Sequence, residues 1–153
     1  IVLGCRFDSE KILNAPIGRS PNNRLKMSTH AKSSKEAITH LKVLEYFQHF
    51  SHLELKLETG RTHQIRVHLS ELLNAPIVND ELYGRSKEES KFFTSKMKSI
   101  LSGYAYPLLH AKVLGFIHPV TKEKLRFEHP PSKIFLDTLN ALRSENGKNT
   151  PSI

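Results

Sequence analysis

The feature that most constrains the fold of this chain is a strand pattern that changes into a helix pattern at Gly60. Over residues 53–58, leucines alternate strictly with Glu and Lys, which predicts a half-buried β-strand. Beyond Gly60, Thr62 is a helix-capping residue type, and the apolar positions that follow have helical spacing. These positions are Ile65, Leu69, Leu72 and Leu73. The sequence therefore predicts a strand, a tight glycine turn and a helix in immediate succession.

The segments around this corner predict further strands. Residues 38–50 have a strand-like pattern and are predicted to pair with residues 53–58 as an antiparallel hairpin. A second hairpin is predicted from residues 112–117 and 124–128, around the turn at His118-Pro119.

Two further helices are expected. Residues 86–101 are predicted to form a helix with an apolar face and a lysine-rich face. The apolar face contains Phe93, Met97, Ile100 and Leu101, and the other face contains Lys87, Lys91, Lys96 and Lys98. A last helix is predicted to open at Pro130-Pro131-Ser132 and to carry Phe135, Leu136, Leu139 and Leu142. Strand pairs interleaved with helices predict the α+β class, with a mixed, mainly antiparallel sheet and flanking helices.

Length and composition narrow the class of protein. At 153 residues the chain is predicted to form one domain. Lys and Arg number 23 against 15 Asp and Glu, a formal charge of +8, which favours nucleic acid or an anionic membrane surface as partner. No apolar run approaches the ~20 residues of a membrane-spanning helix. The single Cys5 excludes an internal disulfide and a multi-cysteine zinc site, and fits an intracellular, reducing compartment.

Positive charge is concentrated in residues 11–35, which contain six Lys and Arg residues and no Asp or Glu. Proline, glycine and paired asparagines in the same stretch predict a long exposed loop or an irregular hairpin. We expect Arg19, Arg24 and Lys26 to contact RNA, although solvation alone would also account for a basic loop.

The corner after Gly60 carries two arginines, Arg61 and Arg66. A helix N-terminus attracts anions and guanidinium groups add directional donors, so the corner is predicted to hold an anion in or beside a cleft. Arg66 lies at the edge of the apolar stripe, where its desolvation requires a carboxylate or phosphate partner. The alternative, which the spacing supports equally, is a pair of surface salt bridges from the two arginines to Glu58 and Glu71.

Other chemistries have little support in the sequence. His63 and His68 lie five residues apart, on different sides of the predicted helix, so no metal site is expected. The G-x-S-x-G and Walker motifs are absent, which argues against acyl transfer and ATP use. The opening Ile1-Val2-Leu3-Gly4 is strand-like, with no initiator methionine and no signal peptide, and is interpreted as the start of a fragment.

One run of residues carries a family resemblance. Residues Leu57–Leu69, followed by Ala75-Pro76-Ile77, Asp80 and Tyr83-Gly84, resemble the RluA-type pseudouridine synthases of rRNA and tRNA. The flanking segments that agree with this family are Pro16-Ile17-Gly18, Lys35–Phe47, Leu109-His110-Ala111 and Glu128–Pro131. The resemblance covers almost the whole chain, and its core motif is highly specific.

The resemblance implies a pseudouridine synthase-like fold and the isomerisation of uridine to pseudouridine in RNA, with no cofactor and no metal. The family uses an Asp as nucleophile or base, an Arg paired with it, a Tyr stacked on the flipped base and an aliphatic residue beneath the base. Arg66 matches the family's Arg, and Leu109 is matched to the aliphatic residue. Arg61, His63 and Gln64 lie in the motif and are implied to shape the pocket and to contact RNA.

The same resemblance implies that part of the domain lies outside this chain. The family's catalytic Asp and stacking Tyr precede the matched residues, and Asp8, Asp80 and Asp137 fall in other motifs. Residues 1–143 are therefore interpreted as the C-terminal portion of a synthase catalytic domain that is inactive alone. Residues 144–153 are expected to form a polar, disordered tail.

Further expectations accompany this interpretation. The chain is expected to associate with RNA, and with the missing N-terminal half of its domain or a second copy, but not with a membrane or a metal. The alternative function is a non-catalytic RNA-binding module derived from the same fold. Asn79 stands where the family usually carries Gly and is expected to alter that loop. The expected compartment is the bacterial cytoplasm or an organelle.

Overall fold

The computed structural model describes residues 1–4, 10–84 and 89–146, and within them seven strands precede two helical segments, which are followed by a β-hairpin and a last helix. The strands are β1 (Val2–Leu3), β2 (Glu10–Asn14), β3 (Ile17–Arg19), β4 (Met27–Ser28), β5 (Ser34–Lys35), β6 (Ile38–Tyr46), β7 (Phe50–Leu57), β8 (Val113–Ile117) and β9 (Lys124–Glu128). The helices are α1 (Gln64–Val67), which continues as a π-helix over His68–Leu72, α2 (Ser95–Leu101) and α3 (Lys133–Asn146). The predicted α+β class is confirmed.

The predicted hairpin of β6 and β7 lies at the centre of the largest sheet. The strand order is β1-β7-β6-β2, and every pair is antiparallel. Val43 lies opposite Leu53 and Leu41 lies opposite Leu55, so apolar side chains collect on one face. The hairpin prediction is confirmed, with β7 beginning already at Phe50.

That apolar face packs against the corner helix. Val43 and Leu53 belong to one core cluster with Leu69 of the π-helical segment. The predicted helical stripe is correct in its centre, since Leu69 is buried, but Leu72 is exposed. The helix changes from α to π geometry after Val67, so the side chains that follow point in different directions from those of a regular α-helix.

A second core cluster joins α2 and α3 to the sheet. Its largest members are Phe47, Phe50, Met97, Leu101, Leu108, Phe135, Leu139 and Leu142. Arg143 of α3 also donates to both carboxylate oxygens of Glu45 on β6, at 2.7 Å from Nε and 2.6 Å from Nη2. The last predicted helix is therefore confirmed, except that Leu136 is exposed.

Residues 11–35 fold differently from the predicted exposed loop or irregular hairpin. β2 pairs with β6 at one edge of the large sheet, and β3 is the centre of a separate sheet of order β4-β3-β5. At Gly18 a Cβ would overlap the carbonyl oxygen of Ser33, so only glycine fits this small sheet. The long exposed loop is wrong because cross-strand partners satisfy the backbone of this polar stretch, whereas the antiparallel pair of β3 and β4 agrees with the alternative of an irregular hairpin.

The predicted helix over residues 86–101 is shorter in the structure. α2 begins at Ser95, and the Thr94 hydroxyl caps it by accepting from the Met97 N–H at 3.2 Å. A local cap therefore determines the start of the helix. Lys87 lies outside the described residues.

The predicted disordered tail is wrong for its first three residues, because α3 extends to Asn146. Residues 147–153, Cys5 and Asp8 lie outside the described part of the chain. Among the residues that are described, no helix has the length and apolar content needed to cross a membrane.

The second predicted hairpin, formed by β8 and β9, is confirmed, and it carries an apolar face. Leu114 lies opposite Phe127 and Phe116 lies opposite Leu125, so these four side chains share one side of the hairpin. Leu125 is half-buried, and the other three are exposed, by 58% at Leu114 and 55% at Phe127. We call these four side chains the hairpin face.

Candidate active site at the strand–helix corner

Arg66 on α1 forms a side-on ion pair with Asp80. The Arg66 Nε donates to Oδ2 at 2.8 Å, and Nη2 donates to Oδ1 at 2.7 Å. The Asp80 side chain is fully buried, whereas 21% of the Arg66 side chain is exposed. Asp80 is therefore the carboxylate that offsets the desolvation of Arg66.

A tight turn holds Asp80 in place. Its Oδ1 also accepts from the backbone N–H groups of Leu82, at 3.1 Å, and Tyr83, at 3.0 Å. The Gly84 N–H donates to the Asp80 carbonyl at 2.6 Å, and a Cβ on Gly84 would overlap that carbonyl. Because the Asp80 carboxylate accepts four hydrogen bonds, it cannot rotate without losing several of them.

Asn79 precedes this turn in the left-handed conformation, with φ 63°. Glycine adopts this region freely, and Asn is one of the few other residues that tolerate it. The Asn79 amide donates to the carbonyl oxygens of Tyr104, at 2.6 Å, and Tyr106, at 3.0 Å. Asn79 thus keeps the backbone conformation that glycine favours. The structure therefore does not support the expected alteration of this loop.

Tyr83 lies at the centre of the site. The Met27 N–H donates to its hydroxyl at 2.7 Å, and the same hydroxyl is 2.9 Å from Nδ1 of His63. Arg66 Cζ lies 4.9 Å from the ring centroid and Lys26 Nζ lies 5.6 Å from it, both within cation–π range. Tyr83 therefore joins β4, α1 and the Asp80 turn.

His63, and not the predicted Thr62, precedes the first residue of α1 as its N-cap. Its φ is 56°, in the left-handed region, and no side chain caps the helix. At Gly60 a Cβ would meet nothing within 4 Å, so the chain does not need glycine there for space. The sequence predicts the tight turn at Gly60, but the left-handed backbone lies at His63. Left-handed conformations of non-glycine residues cluster at functional sites.

Gln64 is a structural residue. Its Oε1 accepts from the Thr59 hydroxyl and the Arg61 N–H, both at 2.9 Å. Its Nε2 donates to the Ile38 carbonyl and to the Thr39 hydroxyl, both at 3.0 Å. The side chain is buried and its polar atoms are occupied. Gln64 thus ties the corner to β6, and its contact with RNA stays a prediction.

Arg61 is exposed beside the corner, and its Nε donates to the Glu36 carbonyl at 2.8 Å. The alternative salt bridges of the two arginines are not what the structure shows. Glu58 pairs with His40, and Glu71 accepts from the hydroxyl groups of Ser28 and Thr29.

The three predicted basic contacts of residues 11–35 lie at different places. Arg19 Nη1 donates to the Arg24 carbonyl at 2.7 Å, and both residues are exposed in and after β3. Lys26 reaches the Tyr83 ring. The structure therefore brings Lys26 into the site and leaves Arg19 and Arg24 on the surface.

Leu109 is 40% exposed and follows a segment that approaches the Asp80 turn. The Leu108 N–H donates at 2.9 Å to the carbonyl of Val78, two residues before Asp80. Leu109 is thus accessible near the turn, and its role beneath a base stays a prediction.

Three pKa values shift in this network. The hydrogen bonds to Asp80 raise the pKa of Arg66, which stays charged. Burial, and then the positive charge of Arg66, lowers the pKa of His63, whereas Asp80 opposes this shift. Burial raises the pKa of the Tyr83 hydroxyl. At neutral pH the site therefore contains a guanidinium, a neutral imidazole and a protonated phenol.

His68 fastens the π-helical segment to the sheets. It is buried, with Nδ1 3.0 Å from the Thr39 hydroxyl and Nε2 3.0 Å from the Ala15 carbonyl. Throughout residues 1–4, 10–84 and 89–146, no group of three or more His, Cys, Asp or Glu side chains is placed to hold a metal ion.

Two residues of this site, Asp80 and Tyr83, had no predicted role. Asp80 is not predicted to be the catalytic Asp, because its motif differs from that of the family's catalytic Asp. The signal that identifies it is the desolvation of Arg66, which demands an acid, combined with the turn-forming run Asn79–Gly84.

Comparisons with known proteins show what the chain is similar to. The family model described as RNA pseudouridylate synthase matches residues 2–71. The ribosomal large subunit pseudouridine synthase D of Xanthomonas campestris pv. campestris is 40% identical over 135 residues, which are 88% of this chain and 40% of that protein. The protein of the same name from Neisseria meningitidis serogroup A is 41% identical over 141 residues, 92% of this chain and 36% of that protein.

Solved structures show the same fold. Human RNA Pseudouridylate Synthase Domain Containing 1 superposes with a TM-score of 0.72 at 25% identity, covering 99% of this chain and 58% of that chain. Human RNA Pseudouridylate Synthase Domain Containing 4, at 24% identity, has a TM-score of 0.60 and is similar in fold.

Motif, fold and relatives define the class: a domain with the pseudouridine synthase architecture. The chain matches the RNA pseudouridylate synthase family model over residues 2–71, and over most of its length it is similar to ribosomal large subunit pseudouridine synthases D. It spans about 40% of the length of the first of these relatives.

Proposed function

We propose that this chain is the C-terminal portion, residues 1–146, of the catalytic domain of an RNA pseudouridine synthase. The whole enzyme isomerises uridine to pseudouridine in rRNA or tRNA without a cofactor. The family match and the relatives named ribosomal large subunit pseudouridine synthase D support this function. The chain alone is inactive in this proposal, and its compartment is the bacterial cytoplasm or an organelle.

The geometry of Arg66 is the observation that carries the proposal. Asp80 occupies Nε and Nη2, and Nη1 has no hydrogen-bond partner among the described residues. Every buried side-chain nitrogen and oxygen in that part of the chain has a partner, so Nη1 reaches solvent. A second carboxylate can therefore approach Nη1 while Asp80 keeps the guanidinium plane fixed.

The second carboxylate, in this proposal, is the catalytic Asp of the rest of the synthase. A fixed cation beside it favours its ionised form, as a nucleophile or base requires. During the isomerisation the bond from C1′ to N1 of uracil breaks, and a bond from C1′ to C5 forms. The C5 proton is released, and N1 gains a proton, so the reaction needs no oxidant and no reductant.

The proposal includes RNA contacts beside this position. We propose that Arg61, His63 and Lys26 bind RNA beside the site, and that Arg19 and Arg24 extend the surface. If about five phosphates are neutralised, the logarithm of affinity for single-stranded RNA should fall with log salt at a slope of roughly −3.5. Fluorescence anisotropy with a uridine-containing stem-loop across a salt series measures this slope, and a flat response contradicts the RNA-binding surface.

We propose that the rest of the synthase domain covers the hairpin face. Soluble domains rarely expose contiguous apolar patches unless another surface covers them. This chain spans only 40% of the length of its Xanthomonas relative, so more than half of such a protein is available to supply that cover. A second copy of this chain is the other occupant that the tests below distinguish.

A chimaeric enzyme tests the proposed activity. The matching segment of the Xanthomonas campestris synthase is replaced by residues 1–146, and tritium release from RNA with 5-tritiated uridine is measured. We expect release by the chimaera and none by the isolated chain. The chimaera with Arg66→Met is the matched control and is expected to be inactive.

Two outcomes would contradict this assignment. Tritium release by the isolated chain would show that the reacting residues lie within it. A chimaera that folds cooperatively and binds RNA, but releases no tritium, would favour the alternative of a non-catalytic RNA-binding module.

A further inference from the structure

The direction of the hydrogen bonds around Tyr83 defines the tautomer of His63. A backbone N–H can only donate, so the Tyr83 oxygen accepts the 2.7 Å bond from Met27. Tyr83 is 7% exposed, and its one hydroxyl proton has Nδ1 of His63, at 2.9 Å, as its acceptor among the described residues. With Nδ1 accepting, a neutral His63 must carry its proton on Nε2.

The Nε2–H group of His63 points away from this network. It has no hydrogen-bond partner in the described part of the chain, and no unpartnered side-chain nitrogen there is buried. It is therefore an accessible neutral donor on a ring whose other nitrogen is fixed. The left-handed backbone of His63 shows that the fold accepts strain to hold this ring.

The charges beside this donor favour an anionic ligand. The His63 ring meets Tyr83 edge-on, with 5.5 Å between centroids, and Arg66 Cζ and Lys26 Nζ both lie over the Tyr83 ring. Asp80 offsets the charge of Arg66, and no described carboxylate forms an ion pair with Lys26. The group of side chains around Tyr83, to which His63 belongs, thus has a surplus of positive charge from Lys26.

We propose that His63 Nε2–H donates a hydrogen bond to a phosphate oxygen of bound RNA next to Arg66, and that Tyr83 is the positioning residue that fixes this tautomer. The proposal rests on the RNA-binding function proposed above. A phosphate is favoured over a uracil carbonyl because Lys26, which forms no ion pair with a described carboxylate, leaves a positive charge beside Tyr83.

A phosphate ligand changes the titration of His63 in a defined direction. In the free protein His63 faces Arg66 from α1, Asp80 and Tyr83 from the turn, and Lys26 beyond the Tyr83 ring. An anionic oxygen at Nε2 favours the imidazolium form, so RNA binding should raise the pKa of His63 and strengthen as pH falls through it. A neutral carbonyl would produce a much smaller shift.

Two substitutions separate the donor from the fold. His63→Asn keeps a residue that tolerates the left-handed backbone and ends at the position of Nδ1, so it keeps a partner for Tyr83 but loses the outer donor. His63→Gln reaches the position of Nε2 and restores an N–H there. We expect His63→Asn to weaken binding of the uridine-containing stem-loop about tenfold and His63→Gln to recover most of that loss.

Nitrogen-15 NMR of the imidazole in the intact chain reads the tautomer and the pKa directly. We expect the Nε2–H form in the free protein, a mixture of tautomers in Tyr83→Phe, and a raised pKa for His63 with the stem-loop bound. Thermal unfolding of His63→Asn by circular dichroism checks that its backbone is intact.

The outcomes distinguish this proposal from the function on which it rests. If the stem-loop binds equally to the unsubstituted chain and to His63→Asn, only the role of His63 is overturned. An Nδ1–H tautomer overturns the role of Tyr83, and an unchanged pKa on binding overturns a phosphate ligand. If the unsubstituted chain does not bind the stem-loop, the proposed RNA-binding function is overturned as well.

Discussion

The corner around Arg66 and the β8–β9 hairpin differ in how their energetically costly groups are satisfied. These groups are buried polar side chains at the corner and exposed apolar side chains on the hairpin. At the corner, the fully buried Asp80 carboxylate accepts four hydrogen bonds, and the buried Gln64 amide is satisfied on both atoms. On the hairpin face, apolar side chains such as Leu114 and Phe127 are left more than half exposed. The buried polar groups of the corner are thus satisfied within this chain, whereas the hairpin face is a surface that another surface can stabilise.

The largest effect on stability is expected at Asp80. Asp80→Ala removes the partner of Arg66 and leaves a half-buried guanidinium uncompensated, which should lower the free energy of unfolding by about 4 kcal/mol. Asp137→Ala is the matched control, because Asp137 pairs with Lys133 on the surface and should cost less than ~0.5 kcal/mol. Urea unfolding measures both, and equal costs would break the distinction between the buried pair and the exposed one.

The largest effect on synthase activity is expected from substitutions of Arg66 at the corner. In the chimaera, Arg66→Met removes the fixed cation beside the proposed reacting carboxylate and should cost about 3 kcal/mol of transition-state stabilisation. Arg66→Lys should recover little, because an ammonium lacks the planar fork that binds Asp80 and a second carboxylate together. Tritium release from 5-tritiated uridine measures both variants, and full activity of Arg66→Met would show that the site is misassigned.

A third prediction concerns the isolated chain as printed, in which the α-amino group of Ile1 is buried and forms no ion pair with the described residues. This amino group donates to the Leu108 carbonyl at 2.9 Å, and burial lowers its pKa from 8.0 to about 5. Between these values the unfolded chain binds the proton that the folded chain releases. The free energy of unfolding should therefore rise with pH, by about 3 kcal/mol from pH 5 to pH 8.

Urea unfolding at several pH values checks this dependence on the chain as printed. Burial also lowers the pKa of His52, which contributes in the same direction. His52→Gln should therefore keep most of the rise. A stability that is constant or falls between pH 5 and pH 8 would contradict the buried amino group.

The smallest effect on stability is expected on the hairpin face. In the isolated chain, Leu114→Ser with Phe127→Ser should change the free energy of unfolding by less than ~0.5 kcal/mol, because both side chains are exposed. Leu69→Ala beneath the corner is the contrast and should cost roughly 3 kcal/mol as a buried leucine.

The same pair of substitutions identifies what covers the hairpin face. Sedimentation of the isolated chain should show association that the double substitution removes if a second copy covers the face. If the rest of the synthase covers it, the double substitution should destabilise the chimaera much more than the isolated chain. A large loss of stability in a verified monomer of the isolated chain would show that the face is already covered.

Local pattern was sufficient for the elements whose neighbours are close in sequence. The alternation over residues 53–58 and the two runs around His118-Pro119 predicted both hairpins, because pleat and turn chemistry are local properties. The apolar spacing over Phe135–Leu142 predicted α3 for the same reason. The motif around Arg66 also identified the family.

Tertiary structure decided the partners of that motif. The desolvation of Arg66 follows from its place beside Ile65, but the choice of Asp80, fourteen residues on, depends on the turn that Gly84 closes. Likewise the buried Gln64 amide donates to the Ile38 carbonyl of β6, and His63 contacts the Tyr83 hydroxyl, twenty residues on. Sequence alone determined which groups needed partners, because desolvation is a property of the residue and its pattern. Only the folded chain determined which partners they have, because those distances are set by contacts between segments far apart in sequence.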